Sequence, residues 1–147
     1  PKPDVTQCVN SMKIRKYSER DNAQVVGLLK KTFPNDPGHN EPSTVVEAKL
    51  AVDDLIFVAV EDEIIVGVVI AGYDGHRGWL YSVAVDKSNQ ANGVGRRLVQ
   101  YAVEALKNMG CIKVNLQIRS TNSDVVAFYR KLGFVTEERV SMGKLLI

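Results

Sequence analysis

Three apolar runs, Leu55–Val60, Ile64–Tyr73 and Trp79–Val85, are rich in β-branched residues and stand almost against one another. Only Glu61-Asp62-Glu63 and Asp74-Gly75-His76-Arg77-Gly78 separate them. Runs of this length bounded by turn residues read as strands. Connectors this short join antiparallel neighbours, because a parallel crossover needs roughly a dozen residues or more. A three-stranded meander is therefore expected near the middle of the chain, with the acidic triplet as a solvated turn. No run approaches the roughly 20 apolar residues of a membrane helix, and no membrane partner is expected.

Helical periodicity surrounds the meander. Val94, Leu98, Ala102, Ala105, Leu106 and Met109 fall on one face of a helix over 94–109 that Gly110 stops. Before the meander, Lys13–Tyr17 reads as a strand, and Ser18 with Asp21 as an imperfect capping box for a helix ending near Thr32. Phe33–Pro42 holds three prolines and a glycine and must be a loop. Thr44 and Glu47 form a second capping box, predicting a helix to about Val52. Past Gly110, Ile112–Ile118 alternates as a strand, and Asn122 or Ser123 caps a helix ending at Gly133. Phe134–Glu137 and Lys144–Ile147 read as final strands. The order β-α-α-β-β-β-α-β-α-β-β predicts an α+β fold, not a doubly wound parallel sheet.

With 147 residues there is room for one domain. Residues 12–147 are read as that single domain and residues 1–11 as an extension or cloning remnant, since the patterned sequence starts at Met12. Nineteen basic against seventeen acidic residues leave a formal charge of +2, too little for nucleic-acid binding by general electrostatics. Any bound anion must be held locally. Cys8 and Cys111 lack metal-type spacing, which predicts no metal site and a reduced, cytoplasmic setting.

The local anion site is legible at the end of the third meander strand, in Tyr81-Ser82-Val83-Ala84-Val85-Asp86-Lys87-Ser88-Asn89-Gln90-Ala91-Asn92-Gly93-Val94-Gly95-Arg96-Arg97. Two glycines spaced by one residue allow close backbone approach, and a helix start offers unpaired N–H groups at a positive dipole end. That suits a pyrophosphate. Leu98 departs from a dinucleotide fingerprint, and no Gly-Lys-Ser/Thr is present for a Walker loop. The glycines alone fit equally a loop that merely turns the chain into a helix.

Gln90-x-x-Gly93-x-Gly95, opening an amphipathic helix after an apolar strand, resembles the acetyl-coenzyme A motif of the GNAT family of N-acetyltransferases. Asn122 through Phe134, with Phe128-Tyr129-Arg130-Lys131-Leu132-Gly133-Phe134, is similar to the family's second motif. The segment Gly72-Tyr73-Asp74-Gly75-His76-Arg77-Gly78 resembles a subgroup of small bacterial acetyltransferases. Lys87 stands where proline is usual, and Ala91-Asn92 replaces a glycine and a basic residue, so one loop cation is lost.

The resemblance implies a mixed, mostly antiparallel sheet of about seven strands flanked by four helices. It also implies acetyl transfer from acetyl-CoA to a primary amine, of a small molecule or a protein, by direct attack in a ternary complex. Gln90, Ala91, Asn92, Gly93, Val94, Gly95 and Arg96 would bind the pyrophosphate. Val83, Ala84 and Val85 would meet the pantetheine arm, with Val83 and Val85 offering backbone groups. Asn122 would bond that arm, Phe128 would pack beside it, and Lys131 would reach a phosphate. Tyr129 would act as general acid toward the leaving thiolate, although a tyrosine on an apolar helix face is, by pattern alone, a core residue.

No carboxylate stands at Trp79, Tyr81 or Gln117, where some family members place a base. Asp36, Asp74 and His76 are the acceptor-side candidates, against plain readings as loop and turn residues. The missing carboxylate keeps open an alternative, a non-catalytic acyl-CoA-binding regulatory module. Phe33 and the proline-rich loop are read as an exposed surface that would serve a partner or a homodimer.

Overall fold

The computed structural model describes residues 12–35 and 38–147. Five strands form its sheet: β1 (Met12–Lys16), β2 (Ile56–Glu61), β3 (Ile64–Tyr73), β4 (Gly78–Val85) and β5 (Val114–Leu116). They lie in sequential order, antiparallel from β1 to β4 and parallel between β4 and β5. The meander is present, and its first turn is left-handed at Asp62 (φ 51°) and Glu63 (φ 64°), the sense that matches strand twist.

The described residues also form four α-helices, α1 (Asn22–Thr32), α2 (Pro42–Leu50), α3 (Val94–Asn108) and α4 (Ser123–Lys131), and three short 3-10 helices. The described chain clusters into two compact units, the first ending at Gln117 and the second spanning Ile118–Ile147. In the first unit, α1 and α2 cover one face of the sheet. Val25, Val26, Leu28, Leu29 and Val46 pack there with Ile56, Val58, Ile65, Val68 and Ile70. Ile65 and Val68 share that face despite odd spacing because the β2–β3 register shifts beside Val66, and a bulge resets which side faces inward. Phe57, one residue out of phase with Ile56 and Val58, meets Tyr101 of α3 edge-on at 5.3 Å.

Glycines set how closely α3 approaches the sheet. A Cβ at Gly67 would lie 2.6 Å from Leu98 Cδ1, and one at Gly78 would lie 2.8 Å from Cys111 Sγ and 3.0 Å from Leu106 Cδ1. The helix ends at Gly110 (φ 99°), where the N–H of Cys111 returns to the carbonyl of Leu106 at 3.1 Å. Among the described residues no helix is long and apolar enough to cross a membrane.

Several boundaries differ from expectation. The sheet has five strands where about seven were expected: Phe134–Glu137 and Lys144–Ile147 form none. The Phe134 N–H instead bonds locally to Tyr129 O. Val135 and Ile147 are 80% and 92% exposed, so neither segment has a covered face to define a strand. β5 keeps only the middle of the expected Ile112–Ile118 run, and Ile112 is 78% exposed. α2 starts earlier than the Thr44 box predicts: Pro42 takes its first turn and the Glu41 carboxylate accepts the Thr44 N–H at 3.0 Å. A proline loses no bond there, since first-turn N–H groups lack helical partners. Phe33, expected at the surface, packs against the core. Residues 1–11 lie outside the described residues.

Candidate active site

The chemistry expected of the first unit gathers where β4 passes into α3. β4 pairs with β5 only from Gly78 to Leu80. Beyond Leu80, the stretch holding Val83, Ala84 and Val85 has no ladder with β5 among the described residues. That leaves backbone groups along one edge of the strand for a ligand. Ala84 turns its methyl into the core, while Val83 and Val85 are half-buried.

A 3-10 helix, Lys87–Asn92, makes the corner. Asp86 caps it, accepting from Ser88 Oγ at 2.7 Å and Ser88 N at 3.1 Å. These bonds, the hydroxyl's foremost, hold the Asp86 carboxyl below its ordinary value. Gln90 Nε2 donates to the Val85 carbonyl at 3.2 Å, tying the loop to the end of the strand. Gly93 then adopts φ 75°, ψ 15°, a left-handed conformation that costs a residue with a Cβ about 1–2 kcal/mol. From it α3 begins.

Helix α3 starts in a way that disfavours an isolated helix. No side chain caps its N-terminus, and its first turn carries no acidic residue. Arg96 folds back until its guanidinium lies 3.9 Å from where a Gly93 Cβ would stand. A cation at the positive end of a helix dipole is unfavourable. Uncapped N–H groups, a close backbone and a misplaced guanidinium together suit a phosphate group. Gln90, Ala91 and Asn92 lie in the 3-10 helix, Gly93 at the turn, and Val94, Gly95 and Arg96 in the first turn of α3.

The second unit holds the rest of the expected set. Asn122 Oδ1 accepts the Val125 N–H at 3.4 Å as the cap of α4; its side-chain N–H donors are not consumed by the cap. Tyr129 is 8% exposed, with its ring edge-on to Phe128 at 5.0 Å and to Phe134 at 5.4 Å. Burial pushes its phenol up to about 12. Lys131 is exposed.

A model of the acetyltransferase (GNAT) family matches residues 22–134. An acetyltransferase of Pectobacterium atrosepticum is 35% identical over 137 residues, covering 92% of this chain and 96% of the relative. One from Yersinia enterocolitica is 34% identical over the same coverage. The chain belongs to the GNAT acetyltransferase family. It is thus an acyltransferase by family, and the fold agrees. The solved structure of AAC(6′)-Iy in complex with a bisubstrate analogue, CoA-S-monomethyl-acetylneamine, superposes with a TM-score of 0.77 at 22% identity. That alignment covers 92% of this chain and 99% of that one.

Two of the three acceptor-side candidates of this GNAT acetyltransferase, Asp74 and His76, lie between β3 and β4. Asp36 lies outside the described residues. Asp74 accepts the backbone N–H groups of His76 and Arg77, both at 2.7 Å, and these bonds, that of Arg77 first, lower its pKa. Stabilised as an anion, it is a turn former and a poor base. His76 Nε2 stands 2.7 Å from the Arg77 guanidinium. Because that group only donates, the nitrogen must accept, which occupies the lone pair a base would use. Among the described residues no group of three or more His, Cys, Asp or Glu side chains is arranged to hold a metal ion.

Sequence reasoning missed one cluster. Tyr81 is exposed beside Gly72, with Lys49 Nζ 5.8 Å from its ring centroid. Lys49 comes from α2, and no local pattern links the two.

Proposed function

We propose that this acetyltransferase moves the acetyl group of acetyl-CoA to a primary amine by direct attack in a ternary complex. The observation that carries the reading is the start of α3: uncapped, glycine-turned and crossed by Arg96, with no acid in its first turn. Residues Gln90 through Arg96 hold the pyrophosphate. Val83 and Val85 offer backbone groups to the pantetheine arm along the free part of β4, and the family resemblance assigns Asn122, Phe128 and Lys131 to the same cofactor.

In the reaction the amine nitrogen bonds to the acetyl carbon and the carbon–sulfur bond breaks. Backbone N–H donors on β4 take the negative charge that builds on the acetyl oxygen. Tyr129 supplies the proton for the departing sulfur. With its phenol at about 12, it is fully protonated at neutral pH, the state a general acid needs. It is also a weaker acid than a thiol of pKa about 8.5. Tyr129 therefore meets the developing sulfur charge first as a hydrogen-bond donor, and the proton it passes to sulfur is restored from the water that takes the acceptor amine's proton. A lysine-like acceptor has a pKa of about 10.4, and with no carboxylate at Trp79, Tyr81 or Gln117 its proton leaves through water.

The reading is tested by thermal shift with acetyl-CoA and by thiol release over a panel of amines. Tyr129→Phe is expected to lower kcat by about 10²-fold or more while acetyl-CoA affinity stays within about twofold. Unchanged turnover would refute the role of Tyr129. A thermal shift without thiol release on any amine would favour a regulatory acyl-CoA-binding module.

A further inference from the structure

Tyr81 has no part in the roles above, and its setting is unusual for a ring. Large aromatic side chains bury apolar area, yet this one is 61% exposed. It stands where the β3–β4 register slips: Ile70 pairs with Ser82 and Ala71 with Leu80, which leaves Tyr81 without a partner. Bulges of this kind re-aim side chains and are frequent beside binding sites. The ring leans back along the strand over Gly72, where a Cβ would come within 2.7 Å of the ring and 2.9 Å of the hydroxyl. Lys49 Nζ is held 5.8 Å from the ring centroid by the Asp53 carboxylate, 2.8 Å away. Partial burial, then the charges of Asp53 and Asp74, push the Tyr81 phenol up, so both carboxylates act on this hydroxyl. An ammonium is thus already seated against an exposed aromatic ring and a carboxylate, the chemistry that recognises organic cations.

The geometry points to a cation subsite in which the Tyr81 ring, with Asp53, receives a second, charged ammonium of the acetyl acceptor in exchange for Lys49. The preferred acceptors are then diamines and longer polyamines. This rests on the acetyl-transfer reading. Two residues of strand separate the backbone of Tyr81 from that of Val83, roughly 7 Å, and the ring leaning back over Gly72 adds to that span: a diamine or longer polyamine can offer one nitrogen for acetylation while another stays charged on Tyr81. A monoamine has nothing left for the subsite once its nitrogen is the nucleophile.

Thiol release from acetyl-CoA with putrescine and with butylamine tests this, and calorimetric titration of the free protein with putrescine reads the subsite apart from turnover. Putrescine is expected to show at least a fivefold higher kcat/KM than butylamine. Tyr81→Leu, and Gly72→Ala, whose new methyl displaces the ring, should each remove most of that preference and weaken calorimetric putrescine binding at least fivefold, in protein shown to be folded by circular dichroism. Lys49→Met removes the resident competitor and should tighten putrescine binding. Equal kcat/KM for the two amines, or putrescine binding that survives both Tyr81→Leu and Gly72→Ala, would overturn the subsite. Putrescine binding that Tyr81→Leu abolishes, with no thiol release on any amine, would leave the subsite standing and remove acetyl transfer.

Discussion

A guanidinium on the positive end of a helix is a cost in the free protein and an asset in the complex, which makes Arg96 a residue whose substitution has opposite effects on two measurements. Arg96→Gln is expected to weaken acetyl-CoA binding about tenfold. The same change should leave the unliganded protein unchanged or up to about 1 kcal/mol more stable, since a cation is lost from the first turn of α3. Isothermal titration and denaturant unfolding of one variant check both signs. Tyr129 permits a second test. Its folded pKa of about 12 lies above an ordinary tyrosine value of 10.0, so the folded state holds its proton more tightly. The associated stability is complete below pH 10 and is lost as pH rises from 10 to 12, by at most about 2–3 kcal/mol. Wild type should lose more stability across that window than Tyr129→Phe, read from urea midpoints at each pH. These residues were legible because each lies within a local motif. Asp74 carried two readings in the sequence, acceptor-side candidate and turn former, and its two backbone bonds are those of a turn former.

Among the elements, α3 is the one whose position matters most, and Gly67 controls it. Nothing in the chain marks Gly67 apart from other strand glycines. In the structure it is the gap into which Leu98 and Val94 fit, with a would-be Cβ at 2.6 Å and 3.0 Å from their methyl carbons. Gly67→Ala should therefore push the start of α3 off the sheet, costing about 1–3 kcal/mol and loosening acetyl-CoA binding with it. Chemical denaturation and titration should report the two losses together. The helix itself was readable end to end because its apolar stripe is wide and Gly110 closes it. The final strands were misread for the converse reason: the short apolar run in Lys144–Ile147 suggests a strand, but a strand exists only where a neighbour supplies its hydrogen bonds, and that neighbour cannot be read from the segment.

At the scale of the whole molecule, β1 is tied to the entry of α1 by one ion pair. Arg15 donates both guanidinium nitrogens to Asp21, at 2.7 and 2.9 Å, and Asp21 also accepts the Ser18 N–H at 2.8 Å. Asp21 is buried while Arg15 is about one-third exposed. The Arg15 hydrogen bonds, opposed by burial, lower the Asp21 pKa. A carboxyl with a lowered folded pKa adds stability above its unfolded value, and that stability disappears as pH falls through the folded one. Asp21→Asn should cost roughly 2–3 kcal/mol at neutral pH, less than a fully buried pair would, and should flatten the acid limb of the stability profile.

The sequence by itself determined the meander, the long helix, the glycine-turned corner between β4 and α3 and the family, because each is written in consecutive residues by local backbone preference and periodicity. Tertiary structure decided which strands found partners, how close α3 comes to the sheet, and that Lys49 and Asp53 meet Tyr81. Those depend on contacts between segments far apart in the chain, whose geometry is set by packing and has no local signature.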